Sequence, residues 1–392
     1  MLPLPALDQR VRERLRRFAI TILLLLYARR TWRTFHAHHF HLQLQAERVS
    51  RGRHVLNILK YTFVAQLLAA CEYLIPIAKP VLAWRIARLL VWRSESVVSN
   101  ALYGSHPRNT IDVYGVEPQA EPRKPVLLFV HGGAWSFGHK WQYGLVGKYL
   151  AKHGFLVAVI NYRTYPLGSV TEQTKDVEDA IHWVAEHAPG YGGDRERIFL
   201  IGHSSGAHIS ALTLVQSAVN AITGAAEASE TTGRVHHHVK GFIGLAGPYD
   251  IAEHYVFESR RQVGPVNGVH EISTMKPAML GMSRFDDYSP AKVLESVREH
   301  GELVLPEFHI IHGNADAVVP ASSSQKLAQS LRDSRQHADY IELAGCTHED
   351  IVFAVMGDNV PIKEELVAHL KRITGLPNDQ ADYATSAITS KL

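Results

Sequence analysis

From about residue 103 the chain alternates short apolar runs with amphipathic stretches. Residues 126–130 (VLLFV), 155–160 and 198–201 are apolar at almost every position. A strand with one face in water alternates; a strand covered on both faces does not, so these runs predict buried strands. Residues 109–114 (NTIDVY) alternate as an early strand would, and 239–245, 308–311 and 338–343 supply three more. Residues 170–187 show helical amphipathicity and end at the turn 190–194; helices also fit 205–218, 321–332 and 363–373. Continuous apolar strands separated by helices predict an α/β fold, a mostly parallel central sheet with helices on both faces. No internal repeat interrupts the pattern.

The first hundred residues follow another pattern. Residues 18–28 (FAITILLLLYA) are apolar, bracketed by Arg16-Arg17 and Arg29-Arg30. That is about half of the roughly twenty residues a spanning helix requires. Arginines rather than a small-residue cleavage site follow, so an interfacial helix is the physical expectation. Residues 55–77 are largely apolar but include Lys60 and Glu72, Pro76 and Pro80 break the run, and 81–92 contain Arg85 and Arg88. These segments predict membrane-associated helices, with a helical cap on the catalytic domain as the alternative. The expected division is a helical region at 1–100, a catalytic domain at 101–375 and a flexible tail at 376–392.

Charge sharpens the division. Residues 1–54 hold eleven arginines against three acids, a net +8; the whole chain carries +3, which leaves −5 for the rest. An arginine-rich leader before an acidic body points to an anionic membrane surface through residues 1–92. No nucleic-acid motif accompanies the charge, so no nucleic-acid partner is expected. Cys71 and Cys346 form neither a disulfide framework nor a zinc pattern. His36, His38, His39 and His41 lack acidic or cysteine partners nearby, so no metal is expected. His236-His237-His238 reads as a solvated loop beside a polar insert at 223–234.

Chemistry concentrates after the strand at 198–201. Gly202-His203-Ser204-Ser205-Gly206 is G-x-S-x-G between a strand and a helix, the arrangement that lifts a serine oxygen above a sheet. Ser204 is therefore the candidate nucleophile. A serine hydroxyl needs a base, an acid that orients the base, and donors for the oxyanion. Asp316 follows the strand at 308–311 in a Gly-containing turn, where a doubly wound sheet presents functional groups. His348 follows the next strand and precedes a helix. The alternatives are a capping aspartate and a surface histidine. Glu349 and Asp350 fit the start of the following helix, and Cys346 fits a structural role. The order Ser204, Asp316, His348 is the order expected on such a sheet. Gly132, Gly133 and Ala134, directly after the strand at 126–130, are the candidate oxyanion loop, with Ser205 supplying a second backbone donor and His203 placed in the same oxyanion and substrate-binding group. Trp135 is either a pocket wall or a core side chain.

These motifs resemble the α/β-hydrolases of the HGG-type esterase group, and within it are most similar to the isoprenylcysteine α-carboxyl methylesterases. The resemblance rests on Tyr103-Gly104 with Pro107-Arg108-Asn109 and Asp112-Val113-Tyr114, HGGAW at 131–135, Asn161-Tyr162-Arg163, GHSSGAHIS at 202–210, Gly268-Val269-His270-Glu271 and Tyr288-Ser289-Pro290. It covers roughly residues 100–375. Ser205 stands where many relatives have alanine, and an insert lies near 219–237. The resemblance implies a serine carboxylesterase without cofactor that demethylates prenylcysteine methyl esters at an endoplasmic reticulum or Golgi membrane. A kynurenine formamidase-like amidase and a broad carboxylesterase use the same triad. A non-catalytic receptor on the same fold would normally lack a triad member, and all three are present. The chain ends Ser390-Lys391-Leu392, a tripeptide read by the peroxisomal import receptor, so the peroxisome is the alternative location.

Overall fold

The computed structural model describes residue 60 and residues 96–377, except 225–233, 264–265, 272 and 300–302. The expected helices at 18–28, 55–77 and 81–92 lie outside the described residues apart from Lys60. So do the four histidines near residue 38, most of the insert and the terminal tripeptide.

Eight strands form the sheet: β1 Val97–Leu102, β2 Thr110–Tyr114, β3 Lys124–Val130, β4 Leu156–Ile160, β5 Gly193–His203, β6 Gly241–Leu245, β9 Glu307–Gly313 and β10 Ala338–Leu343. A hairpin of β7 Gln262–Val263 and β8 Val266–Asn267 stands apart. Their order is β1-β2-β4-β3-β5-β6-β9-β10, with β2 antiparallel to both neighbours and every later pair parallel. This is the α/β-hydrolase architecture. The helices are α1 Gly144–Ala151, α2 Val170–His187, α3 Ser205–Thr223, α4 Ile251–Arg260, α5 Met275–Ala278, α6 Pro290–Ser296, α7 Ala321–Asp333, α8 His348–Val355 and α9 Lys363–Thr374.

The apolar runs are continuous because both faces are covered. Along β3, Val126, Leu128 and Val130 join the core that α2, α3, α6 and α7 close, while Leu127 and Phe129 join the core closed by α1, α8 and α9. Ile198 and Leu200 of β5 face the first core, Phe199 and Ile201 the second. The sheet starts at Val97, earlier than the boundary drawn from composition, because β1 has partly exposed residues and no apolar run to announce it.

Topology then places the chemistry. The chain leaves β3 for β4 on one side and returns to β5 on the other, so the carboxyl ends of β3 and β5 flank a crevice. Val130 pairs with Gly202 across it. The loops after β6, β9 and β10 leave the same end of the sheet.

The loop after β4 is held to α2 by a buried ion pair. Asp176 accepts bonds from the Arg163 backbone N–H at 2.7 Å and from the guanidinium Nη2 at 2.6 Å, and its side chain is wholly buried. Removing Asp176 leaves the Arg163 backbone N–H without its acceptor, beside a guanidinium that is only partly buried, which costs about 1–3 kcal/mol. We therefore expect Asp176→Ala to lower unfolding free energy by roughly that amount in a urea titration; a change below about 1 kcal/mol would show that the pair is dispensable.

Candidate active site

The sharp turn at Ser204 is forced by close contact. β5 ends at His203 and α3 starts at Ser205, leaving Ser204 at φ 54° and ψ −126°. A non-glycine residue held in such a sparsely populated backbone region costs of order 1–3 kcal/mol. The surroundings over-determine it: the Ser204 N–H donates to the Leu245 carbonyl at 2.8 Å. A Cβ on Gly206 would stand 2.2 Å from the Val130 carbonyl oxygen and 2.4 Å from that of His131. One on Gly202 would meet the Gly206 carbonyl oxygen at 2.6 Å. Glycine at both positions lets strand and helix cross this closely. The Ser204 side chain is half-buried, and among the described residues its hydroxyl has no hydrogen-bond partner.

Asp316 and His348 meet as the sequence pattern expects. The His348 Nδ1–H donates to Asp316 Oδ2 at 2.7 Å. The other carboxylate oxygen accepts the backbone N–H groups of Val318 and Val319, each at 2.8 Å. A further donor, His312, was not singled out by the sequence. Its Nε2 lies 3.2 Å from Asp316 Oδ2 and 3.0 Å from the Val319 carbonyl oxygen, two acceptors that place the proton on Nε2. Nδ1 is then the acceptor for the Ser324 hydroxyl at 2.6 Å. Burial alone would raise the Asp316 carboxyl; the bonds from His312 and His348 outweigh it and hold the group well below the usual carboxylate range. A fixed carboxylate keeps the His348 proton on Nδ1 and leaves Nε2 as the ring's acceptor. Thr347 caps α8 by accepting from the Asp350 N–H, and Asp350 returns a bond to the Thr347 N–H, so His348 sits at a fixed helix start. His203, one residue before Ser204, has its ring 4.8 Å from the His348 ring.

The loop after β3 has its carbonyls occupied and its N–H groups open. Gly132 O accepts from His131 Nδ1 at 2.8 Å, Gly133 O from the N–H groups of Ser136 and Phe137, Ala134 O from the Thr274 hydroxyl at 3.0 Å, and Trp135 O from Gln173 Nε2 at 2.9 Å. Among the described residues, no protein acceptor takes the N–H groups of Gly132, Gly133 or Ala134. Ser205 opens α3, so its N–H lacks an intrahelical partner by geometry. Positive φ at Gly133, Ala134 and Trp135 turns this segment back on itself.

Three sequence expectations change. His203, grouped with substrate-binding residues, is buried and donates from Nε2 to the His348 carbonyl at 3.2 Å; it braces α8. Trp135 is 2% exposed and gives its indole N–H to His208 Nδ1 at 3.0 Å, so it is a core pillar rather than a pocket wall. His208 in turn donates to the Tyr288 carbonyl at 2.7 Å, which gives Tyr288-Ser289-Pro290 a structural role. In the histidine triplet, His236 is buried and 2.8 Å from the Ser217 hydroxyl rather than solvated, because Val235 beside it enters the core. Cys346 is buried, and burial pushes its thiol up to about 12, away from nucleophilic character. Among the described residues no cluster of three His, Cys, Asp or Glu could hold a metal. A cavity of about 590 Å³ opens elsewhere, beside β1, β2 and α1, with Trp141 and the Lys140–Asp112 pair in its wall and none of the Ser204 cluster.

Residues 111–331 match the BD-FAE family model, more than half of the chain. The chain belongs to the BD-FAE family. It is 32% identical over 296 residues to the probable isoprenylcysteine alpha-carbonyl methylesterase ICMEL2 of Arabidopsis thaliana, a match covering 74% of this chain and 65% of that one. Esterase LipC of Mycobacterium tuberculosis is 30% identical, over 63% of this BD-FAE chain and 58% of LipC. The matches thus span about three-fifths of the curated relatives' length. Among solved structures, esterase B of Lactobacillus rhamnosis superposes with a TM-score of 0.59 at 19% identity, over 81% of this chain and 99% of that one. A hyperthermophilic esterase of Pyrobaculum calidifontis gives 0.54 at 17%, over 80% and 97%. These likenesses show the fold.

Burial holds several histidines of this BD-FAE site neutral. Burial pushes His131 and His203 down to about 3 and His208 to about 4. Unfolded, each titrates near 6.5. Between those values the unfolded chain binds protons that the folded chain refuses, so stability falls as pH drops below about 6.5. Each such histidine contributes a slope of up to about 1.4 kcal/mol per pH unit. Melting temperatures measured from pH 8 to 4.5 are expected to be flat above about 7 and to decline steeply below 6; a flat profile throughout would mean that these rings reach water.

Proposed function

We propose that this chain is a serine carboxylic ester hydrolase working through an acyl-enzyme, with Ser204 as nucleophile, His348 as general base and acid, and Asp316 as the orienting carboxylate. The observation that carries this reading is the closed Asp316–His348 bond, with the His348 ring 4.8 Å from that of His203, the residue before the strained Ser204. The names of the relatives, esterases and carboxylic ester hydrolases, support the same reaction class.

The chemistry follows from the geometry. His348 Nε2 takes the Ser204 proton as Oγ attacks the ester carbonyl. Negative charge develops on the carbonyl oxygen, and the open N–H groups of the Gly132–Ala134 loop with that of Ser205 stabilise it. They need no reorganisation, because the loop's carbonyls are already tied down. His348 gives its proton to the departing alcohol. Water then enters, loses a proton to the same nitrogen and releases the carboxylate.

For substrate, we propose prenylcysteine methyl esters, releasing methanol. The likeness to proteins named isoprenylcysteine alpha-carbonyl methylesterases supports this choice over an amidase or a broad carboxylesterase. The arginine-rich leader supports a membrane address, where a prenyl chain partitions. Among the described residues no helix is long and apolar enough to cross a membrane.

Ser204→Ala is expected to lower kcat on S-farnesylcysteine methyl ester by at least about 10⁴-fold with KM little changed. The same protein should turn over that ester at least about tenfold better, by kcat/KM, than N-formylkynurenine or a short-chain aryl ester. Loss in Ser204→Ala below about tenfold would sink the nucleophile assignment; preference for the aryl ester would keep it and discard the prenyl substrate.

A further inference from the structure

The loop that supports Ser204 leads straight into α4. Leu245, whose carbonyl takes the Ser204 N–H, ends β6, and α4 begins at Ile251. His254 and Glu258 lie one turn apart on this helix, the geometry that puts two side chains on one face. Both side chains are at least nine-tenths buried, with His254 Nε2 3.6 Å from Glu258 Oε1. Among the described residues, His254 Nδ1 and Glu258 Oε2 have no hydrogen-bond partner. Leaving a buried polar atom unsatisfied costs about 1–3 kcal/mol, so two on adjacent side chains call for an explanation.

Their surroundings point to the reacting centre. The His254 ring lies 6.3 Å from that of Trp135, the residue after Ala134 of the oxyanion loop. The Thr274 hydroxyl ties the segment following α4 to the Ala134 carbonyl. Beyond α4, the Gly268 N–H donates to the Arg261 carbonyl and the Val269 N–H to that of Glu258, so the Gly268-Val269-His270-Glu271 motif clamps the end of the helix. Burial raises the Glu258 carboxyl, against bonding to Ser273 and the charge of Arg261, and pushes His254 down to about 3, with His348 close enough to add to the effect. Burial thus disfavours charge on both side chains.

We propose that His254 and Glu258 determine substrate specificity by hydrogen-bonding the α-nitrogen of the acyl group, so that the enzyme selects α-amino or α-amido esters over plain carboxylic esters. The α-nitrogen is one bond from the carbon next to the ester carbonyl, so it stays within reach of a side-chain pair beside the oxyanion loop. An N–H needs an acceptor, and an amide oxygen on it needs a donor; a carboxyl oxygen accepts, and an imidazole with one protonated nitrogen offers both. The inference rests on the ester-hydrolase reading and deepens it.

The test compares esters that differ only at that atom: N-acetyl-S-farnesylcysteine methyl ester against methyl 3-(farnesylthio)propionate, using the full chain. The pair N-acetylphenylalanine methyl ester and methyl 3-phenylpropionate repeats the comparison without a prenyl group, so failure of the prenyl assignment leaves this test intact. The wild type is expected to favour the α-amido ester in at least one pair by at least about tenfold in kcat/KM. His254→Leu and Glu258→Leu should bring that ratio to within about threefold, whereas Glu258→Gln, which keeps a neutral donor and acceptor, should retain it. A purely structural role would depress both esters of a pair together and leave the ratio standing. That result, or a wild type without preference in either pair, overturns the proposal.

Discussion

A carbonyl oxygen and a methyl group cannot share the same space, and the arrangement at Ser204 depends on that exclusion. The start of α3 presses against the end of β3 so closely that only a hydrogen fits on Gly206, between the carbonyls of Val130 and His131. The chain can leave β5 only through a backbone conformation that serine rarely adopts. The strain is held by the Ser204–Leu245 bond and by the apolar strands on either side, which bury almost all of their surface in the two cores. Packing remote from the chemistry thus holds one oxygen above the sheet.

Around that point, hydrogen bonds are spent on orientation. Asp316 has four donors around two oxygens, which leaves its carboxylate little freedom to rotate. The proposed oxyanion loop is fixed through its carbonyls, by His131, Thr274, Gln173 and its own turn, and its N–H groups are what remains. The logic is the same in both places: saturate the acceptors that must not move, and leave open the groups that must act.

The parts of this site that the sequence disclosed are those fixed by backbone geometry. Gly202, Gly206 and the paired glycines at 132–133 stand where only glycine fits or turns, and Asp316 and His348 follow apolar strands at the sheet's carboxyl edge, so pattern and position sufficed. The helix at 170–187 was legible to the residue because its apolar face and its closing turn agree. What escaped was set by tertiary contact. His312 reads as one more histidine among twenty-four until the fold brings it to Asp316 and Ser324. Trp135 and His203 gave no sign of facing inward, since a large ring beside a site suits a wall or a pillar equally. β1 and α4 lacked a strong period, the one lying at a sheet edge and the other giving only Ile251 and Tyr255 to the buried core.

The contact of Gly206 with Val130 and His131 has a consequence for how such a site can change. The elbow and the oxyanion loop are not two parts placed near each other; they are two sides of one wedge. Widening either would shift Ser204 and the open N–H groups together, so change there cannot proceed by small steps. Variation is left to the exposed positions of the segment between β6 and α6, which touches the wedge through side-chain bonds such as that of Thr274. A lineage built on this scaffold would keep its reaction and exchange its substrates.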